Sequence, residues 1–237
     1  MPIHPTSYTS DFSTARQVVA ATKCFSGLSA EAGEALARQL IPRSYPAGEV
    51  LCIEGEPGDY VYFLEKGWVK AVLTAKDGRE QATMFLHNGE IFGDEGVFSG
   101  AAYPVTVVAL EKVSTWAIEN TVLVGLCRRH PALALACLEH LSARVLYYVQ
   151  LVEDLGLRSV QARIAHTLLH HAEHRDGFLI IPRRPWTTLD EMATRLGTVR
   201  DVLRRSLNIL EAEGILHLER SRIVILDPDK LLERGKT

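Results

Sequence analysis

Between Tyr45 and Ile118 the chain alternates short runs of β-forming residues with glycines, and this pattern limits the fold more than any other feature. Asp77-Gly78 separates two of the runs and is a strong hairpin signal, because a tight turn needs positive φ. Many short strands with regular turns predict an antiparallel sandwich or barrel. The runs are Val50–Ile53, Tyr60–Glu65, Trp68–Thr74, Gln81–Leu86, Val105–Leu110 and Val113–Ile118.

Helical patterns flank this region. Residues 14–40 are predicted to be helical, and a longer helix follows Asn120. From Ala134 onward its apolar residues recur at steps of four and three, which predicts the seam of a two-stranded coiled coil and a homodimer. A helix packed only on its own β domain remains the alternative. We expect Gly156 to interrupt the helix and Ser159 to cap the next one. That helix is predicted to cover residues 159–174 and to lead into a strand pair around residues 178–186. The residues expected in the dimer seam are Leu138, Leu141, Val145, Tyr148, Val152 and Leu155.

Two short helices separated by a glycine are predicted near the C-terminus. Thr188 and Glu191 form a capping-box pattern at the start of the first helix, and Gly197 predicts its end. Thr198 is expected to cap the second helix. Helix, glycine turn and helix together indicate a helix-turn-helix, whose second helix enters the DNA major groove. The buried stripe of that helix is predicted to be Leu203, Leu207 and Leu210.

Charged residues gather at the start of this second helix. Arginine can donate two hydrogen bonds to guanine, and a carboxylate can accept one from cytosine. A solvated face with internal ion pairs is the alternative. After Gly214, two apolar runs predict a hairpin wing whose tip can reach phosphates. The predicted DNA-binding residues are Arg200, Asp201, Arg204 and Arg205 on the helix, Thr188 and Thr198 at the caps, and Arg220 and Arg222 on the wing.

These elements occur together with further motifs, which are Glu54-Gly55-Glu56-Pro57-Gly58-Asp59, Gly67-Trp68-Val69-Lys70, Asp77-Gly78-Arg79-Glu80 and Gly89-Glu90-Ile91-Phe92-Gly93-Asp94-Glu95-Gly96. With them the chain resembles the CRP/FNR family of bacterial transcription regulators over nearly its whole length. The resemblance implies an α+β fold with an N-terminal antiparallel β-roll sensor that is double-stranded and jelly-roll-like. It also implies a long dimerisation helix and a winged helix-turn-helix that reads a two-fold symmetric DNA site. It also implies RNA polymerase as a partner and an activator role, although activation and repression both stay open. By position, Arg200, Asp201 and Arg205 match the family's base-reading residues.

The resemblance also implies a cyclic-nucleotide-like pocket, and here the sequence departs from the family. Tyr103-Pro104-Val105 stands where the phosphate-binding arginine is expected, and no basic residue lies between Asp94 and Lys112. Burying a phosphodiester without a partner charge is costly. We therefore expect an unidentified small effector or a redox signal rather than cyclic AMP, and the cofactor stays unknown. The candidate pocket residues are Gly93, Asp94, Glu95, Tyr148 and Val149.

The cysteines and histidines leave questions open. The four cysteines predict free thiols, because no two have the spacing of a zinc site. Cys127 and Cys137 are ten residues apart, about 15 Å on one continuous helix, which predicts that they form no disulfide with each other. No metal site is predicted, although a metal role for the helix face with His166, His170 and His174 stays open, as does a redox role for the cysteines. The cysteines are Cys24, Cys52, Cys127 and Cys137.

Other classes are disfavoured. The sequence has no GxxxxGKS phosphate loop and no catalytic constellation, so we expect no enzyme. It shows no apolar run of about 18 residues and no secretory pattern in residues 1–13, which predicts a cytoplasmic protein without membrane association. The net charge is −3, yet residues 156–237 hold 14 Lys and Arg against 11 Asp and Glu, which is compatible with DNA binding there.

The predicted organisation has three parts. Residues 14–120 form the β-roll sensor, residues 121–157 the dimerisation helix and hinge, and residues 158–237 the winged helix-turn-helix. Two alternatives remain for the function. One is a family member that binds DNA constitutively and is regulated by its abundance. The other is a cyclic-nucleotide sensor that does not bind DNA, such as a regulatory subunit.

Overall fold

A computed structural model describes residues 12–175, 177–184 and 186–236. Of residues 1–13, on which the expected absence of a secretory signal rests, only Phe12 and Ser13 are described. The first half of the chain forms α1 (Phe12–Ala21), a 3-10 turn (Lys23–Phe25), α2 (Ala30–Ala37), β1 (Ile41–Tyr45), β2 (Val50–Cys52), β3 (Tyr60–Lys66), β4 (Val69–Thr74), β5 (Glu80–Leu86), β6 (Ile91–Phe92), β7 (Thr106–Ala109) and β8 (Val113–Glu119).

The second half is helical before and after a small sheet. Its elements are α3 (Asn120–Arg129), α4 (Pro131–Leu157), α5 (Val160–His170), β9 (Glu173–Arg175), β10 (Phe178–Pro182), α6 (Leu189–Leu196), α7 (Arg200–Ala212), β11 (Leu216–Leu218), β12 (Arg222–Ile225) and α8 (Pro228–Arg234). The chain divides into two compact units, one with residues up to Leu73 and Thr83–Leu146, the other with Thr74–Ala82 and Tyr147–Thr237. Both units contain part of α4, and the predicted boundaries at 120 and 157 stay a prediction.

The β-roll consists of two four-stranded sheets with the orders β1-β8-β3-β6 and β2-β7-β4-β5. Strand β3 is buried on both faces, because its alternate side chains enter different cores. Val61 and Phe63 pack with α1 to α4, whereas Tyr62 and Leu64 pack in the interior of the roll. The predicted antiparallel roll is confirmed. Gly78 has a φ of 83° in the turn between β4 and β5, as its hairpin requires.

The helical predictions need corrections. The predicted helix over residues 14–40 is two helices, because Ser29 caps α2 by accepting the N–H of Ala32 at 3.3 Å. Gly156 does not interrupt α4, which ends at Leu157. A single helical glycine costs only about 1 kcal/mol relative to alanine, which the rest of a long helix can outweigh. Ser159 caps α5, as predicted.

The second unit contains a winged helix. Its sheet has the order β11-β12-β10-β9, and β11 pairs with β12 as the predicted wing hairpin. Helix α5 ends at His170, earlier than the predicted 174, because the chain turns into β9. A strand pair was predicted around 178–186, but β10 is a single strand there, and its partners are β9 and β12. The core of the unit contains Ile164, Leu203, Leu207, Ile215 and Ile223.

Helix α4 contains a long apolar segment of a kind that we did not expect in this chain. By length and composition alone, it is apolar enough to cross a membrane, whereas no such run was expected. One helix of this kind is weak evidence, because core helices of soluble proteins have the same composition. In this helix Arg144 is buried against the β-roll and forms ion pairs there. These ion pairs, with Asp94 and Glu95, show that the middle of α4 packs on the β-roll, as a core helix does.

Candidate DNA interface and effector site

The turn between α6 and α7 is built as the sequence predicts. Thr188 precedes α6, and its hydroxyl oxygen accepts the N–H of Glu191 at 3.1 Å. The reciprocal bond of a capping box does not form, since the Thr188 N–H donates to the Trp186 carbonyl. Gly197 ends α6 with a φ of 61°, a left-handed conformation that glycine adopts without strain. This turn fixes the direction in which α7 leaves.

Thr198 does not cap α7, contrary to the prediction. The cap position is Val199, which has no side-chain cap, and the Thr198 N–H closes the preceding helix by donating to the Ala193 carbonyl. The Schellman-like closure after Gly197 therefore uses the residue that was expected to start the next helix. The first-turn N–H groups of α7 consequently lack a side-chain acceptor from the cap residue. Such groups favour a phosphate oxygen as their acceptor.

Helix α7 separates a buried face from a charged face. The predicted stripe of Leu203, Leu207 and Leu210 is buried in the core of the second unit. Full burial of a leucine contributes roughly 1.5–3 kcal/mol, which orients the helix firmly. The four charged candidates on the first two turns are all exposed, and they are Arg200, Asp201, Arg204 and Arg205.

Ion pairs on this face are weak. Arg200 Nη1 lies 3.2 Å from Asp190 Oδ2, and Arg204 Nη2 lies 3.5 Å from Asp201 Oδ1. Exposed pairs of this kind contribute roughly 0–1 kcal/mol, so DNA can replace them at little cost. Within the described residues Arg205 forms no ion pair. Contact of Arg205 with a base would therefore break no ion pair within the described residues.

The wing carries one exposed and one engaged arginine. Arg220 is exposed at the tip between β11 and β12. Arg222 is half-buried, and its Nε donates to Glu219 Oε2 at 2.7 Å. This hydrogen bond lowers the pKa of the Glu219 carboxyl. Arg220 is thus the wing residue better placed to reach a phosphate.

The β-roll candidates Asp94 and Glu95 are occupied by an arginine that the sequence reasoning missed. Arg144 of α4 is only 6% exposed, and it donates from Nη1 to Asp94 Oδ1 at 2.8 Å and to Glu95 Oε1 at 2.7 Å. Its Nη2 donates to the Ile91 carbonyl at 2.8 Å. A charged residue inside an apolar heptad helix was the available signal. Its partners about 50 positions earlier in the chain were not visible in any local pattern.

His140 lies one turn before Arg144 and faces the same carboxylate. Its Nε2 is 3.5 Å from Asp94 Oδ2. Burial, and then the Arg144 charge, lower the pKa of His140 to about 4, so the ring is neutral at pH 7. Burial also raises the pKa of Asp94, and the Arg144 guanidinium partly offsets this effect. The cluster is therefore one cation shared by two acidic side chains.

Gly93 and Tyr103 close the neighbouring space. Gly93 has a φ of 80°, and a Cβ there would lie 2.7 Å from the Tyr60 carbonyl oxygen. The Tyr103 hydroxyl donates to that same oxygen at 2.9 Å and accepts the Tyr60 N–H at 3.0 Å. These two hydrogen bonds to the Tyr60 backbone thus hold the Tyr103 side chain at the position where a phosphate-binding arginine was expected. Burial raises the pKa of its phenol, so it brings no charge.

The remaining pocket candidates and the dimer candidates lie along α4. Tyr148 and Val149 belong to the second unit, where Tyr148 is half-buried and Val149 is exposed. Of the predicted seam, Leu141, Tyr148 and Leu155 are half-buried. The other three are strongly exposed, at 61% for Leu138, 60% for Val145 and 70% for Val152.

The histidine and cysteine clusters differ from the expectations. The rings of His166 and His170 stack at 6.3 Å, but His174 lies on β9, so the three do not share one helical face. No group of three or more potential metal ligands occurs in the described part of the chain. The prediction that Cys127 and Cys137 are far apart is wrong, because the helix breaks between α3 and α4 and both side chains lie in the same buried cluster, where they interact.

Comparison with known domain families gives two matches. Residues 42–130 match the cyclic nucleotide-binding domain, and residues 162–234 match the Crp-like helix-turn-helix domain. This protein belongs to the CRP/FNR family. It therefore carries the sensor-type and DNA-binding domains of a transcription regulator. The second match favours DNA binding over the alternative of a cyclic-nucleotide sensor without a DNA-binding domain.

Similar proteins agree with this assignment. The CRP-like cAMP-activated global transcriptional regulator of Mycobacterium tuberculosis is 26% identical over 224 residues, which cover 93% of this chain and 99% of that protein. The cyclic AMP receptor protein of Thermus thermophilus is 29% identical over 82% of this chain and 88% of its own. The structure of FixK2 from Bradyrhizobium japonicum has a TM-score of 0.71 at 22% identity, covers 82% and 96% of the two chains, and shares the fold.

Proposed function

We propose that this CRP/FNR family member is a cytoplasmic, homodimeric transcription regulator that binds a two-fold symmetric DNA site through α7. The observation that carries the proposal is the exposed charged face of α7 above a buried leucine stripe. Arg200, Asp201 and Arg205 would contact base edges, Arg204 adds a further contact, and Thr188, Thr198, Arg220 and Arg222 would contact phosphates. RNA polymerase is the expected partner at the promoter.

The dimer is proposed to form through an exposed apolar stripe on α4. Exposed apolar residues occur there at alternating steps of three and four, with Ser142 completing the spacing. Such a stripe is costly in water and is matched by a second copy in a parallel coiled coil. This stripe shares Leu138, Val145 and Val152 with the predicted seam. Its members are Leu135, Leu138, Val145, Val149 and Val152.

We propose that cyclic AMP is not the effector. Asp94 and Glu95 already share the guanidinium of Arg144, and Tyr103 contributes no charge. Because Arg144 is already paired with two carboxylates, the negative charge of a cyclic phosphate in this site would stay unpaired. The signal is therefore another small effector or a redox change, passed along α4 to the two copies of α7. Those helices must stand about 34 Å apart to enter successive major grooves.

Binding to DNA tests the proposal directly. A palindromic site is first selected from random duplexes with the purified wild type, and its affinity is then measured at two salt concentrations. Arg205→Ala should lower the affinity for the selected site by 1.4–2.8 kcal/mol, roughly 10- to 100-fold. Arg175→Ala, which removes an equally charged exposed residue from β9, should leave it nearly unchanged. Equal losses in both variants, or an affinity that does not fall with salt, would contradict the proposal.

The same assay separates regulated from constitutive binding. Constitutive binding remains the second candidate, because ion pairs between residues of the chain itself, from Arg144 to Asp94 and Glu95, hold α4 to the β-roll. Cyclic AMP at millimolar concentration should leave the affinity unchanged. A rise of tenfold or more with cyclic AMP would refute the proposed loss of the nucleotide response.

A further inference from the structure

The core of the β-roll unit contains a pair of thiols that face each other across a break between two helices. Cys127 lies in the last turns of α3, and Cys137 lies in the second turn of α4. Between them α3 ends at Arg129, His130 leaves the helical conformation with a φ of −125° and a ψ of 85°, and α4 begins at a proline. The break folds the two cysteines into the same buried cluster.

The two cysteine side chains interact with each other, and this interaction is the largest cause of the change in the pKa of both thiols. Both residues are 6% exposed. The interaction lowers the pKa of Cys127, whereas the same interaction, and then burial, raise the pKa of Cys137. An attacking thiolate next to a protonated partner is the arrangement of a nucleophilic and a resolving cysteine.

The other two thiols differ. Cys52 belongs to the separate core inside the roll, where burial raises its pKa to about 12. Cys24 packs against the first core, and burial raises its pKa to about 12 as well. Neither has a neighbouring thiol that lowers its pKa, so both serve as internal references for an unreactive cysteine.

We propose that Cys127 and Cys137 are a peroxide-oxidisable pair that closes into a reversible disulfide joining α3 to α4. The Cys127 thiolate attacks one oxygen of hydrogen peroxide, the O–O bond breaks, and the released hydroxide takes up a proton to leave as water. The Cys137 sulfur then attacks the resulting sulfenic acid. The S–S bond forms, the S–O bond breaks, and a second water leaves with the Cys137 proton. The two thiols lose two electrons, and the peroxide gains them.

The pair can be tested on the wild-type full-length chain without DNA. Trypsin cuts after Arg128 and Arg129, so each of the four cysteines falls on its own peptide. The reduced protein is treated with hydrogen peroxide, blocked with an alkylating reagent under denaturing conditions, and mapped by mass spectrometry without reduction. We expect a loss of two hydrogen masses and a linked pair of the peptides with Cys127 and Cys137, both reversed by dithiothreitol. Cys127 should react about tenfold faster than Cys52, or more.

Variants make the assignment specific. The Cys52→Ser and Cys24→Ser variants should both still form the disulfide between Cys127 and Cys137. Cys137→Ser should stop at a sulfenic acid on Cys127 that dimedone traps, which is a readout that a merely structural role would not change. A linked peptide that contains Cys24, a bond only between chains, or four unmodified thiols under peroxide that oxidises free glutathione would each overturn the proposal.

Discussion

Removal of the buried guanidinium in Arg144→Met should destabilise the β-roll strongly. The methionine keeps the packing of the aliphatic stem but deletes the hydrogen bonds to the carboxylates of Asp94 and Glu95 and to the Ile91 carbonyl. Breaking a buried ion pair at one partner costs about 3–5 kcal/mol, because the other charge stays buried. Asp94 carries most of this cost, since its side chain is 8% exposed, whereas that of Glu95 is 20% exposed and can turn to water more easily.

The loss of stability in the Arg144→Met variant should depend on pH. In the wild type the Arg144 charge pulls the pKa of Asp94 down against the effect of burial, so the pKa of Asp94 is higher in the variant. At a pH between the pKa of Asp94 in the wild type and its pKa in the variant, the folded variant binds more protons than the folded wild type. The difference in free energy of unfolding therefore shrinks as pH falls, by at most about 1.4 kcal/mol per pH unit.

Urea unfolding measures both effects. In a Trp186→Phe background the remaining tryptophans, Trp68 and Trp116, report on the β-roll unit. Arg38→Met is the matched control, because Arg38 lies 3.9 Å from Glu34 with a side chain 65% exposed. It should cost less than about 1 kcal/mol. Equal losses in the two arginine variants, or a loss in Arg144→Met that does not change with pH, would refute the reasoning.

Three further predictions follow from particular contacts. Val145→Asp should shift the sedimentation equilibrium toward monomer, since it places a charge in the α4 stripe, and an unchanged equilibrium would count against that interface. The free energy of unfolding should fall from pH 6.5 toward 4, because the pKa values of His140 and His171 are both lowered to about 4 and the unfolded chain takes up the protons first; His140→Gln should flatten this fall. Gly197→Ala should lower the urea midpoint through left-handed strain of roughly 1 kcal/mol, and no change would argue against the turn.

Short-range patterns predicted much of the fold. The glycine turn at Gly78 and the cap at Ser159 depend on residues within a few positions, so the sequence alone could specify them. The leucine stripe of α7 was equally readable, because helical periodicity puts its members on one face. The many short strands and turns predicted an antiparallel sandwich or barrel, and the resemblance to the family specified the β-roll.

Only the tertiary structure decided the contents of the candidate effector site and the thiol pair. Arg144 meets Asp94 because α4 packs against the β-roll, and no periodicity relates positions that far apart in the chain. Cys127 reaches Cys137 because the chain breaks at His130, where one continuous helix would have separated the thiols. Local sequence specifies caps, turns and faces through short-range sterics and hydrogen bonds. Packing between elements is what decides which charge or sulfur is buried against which.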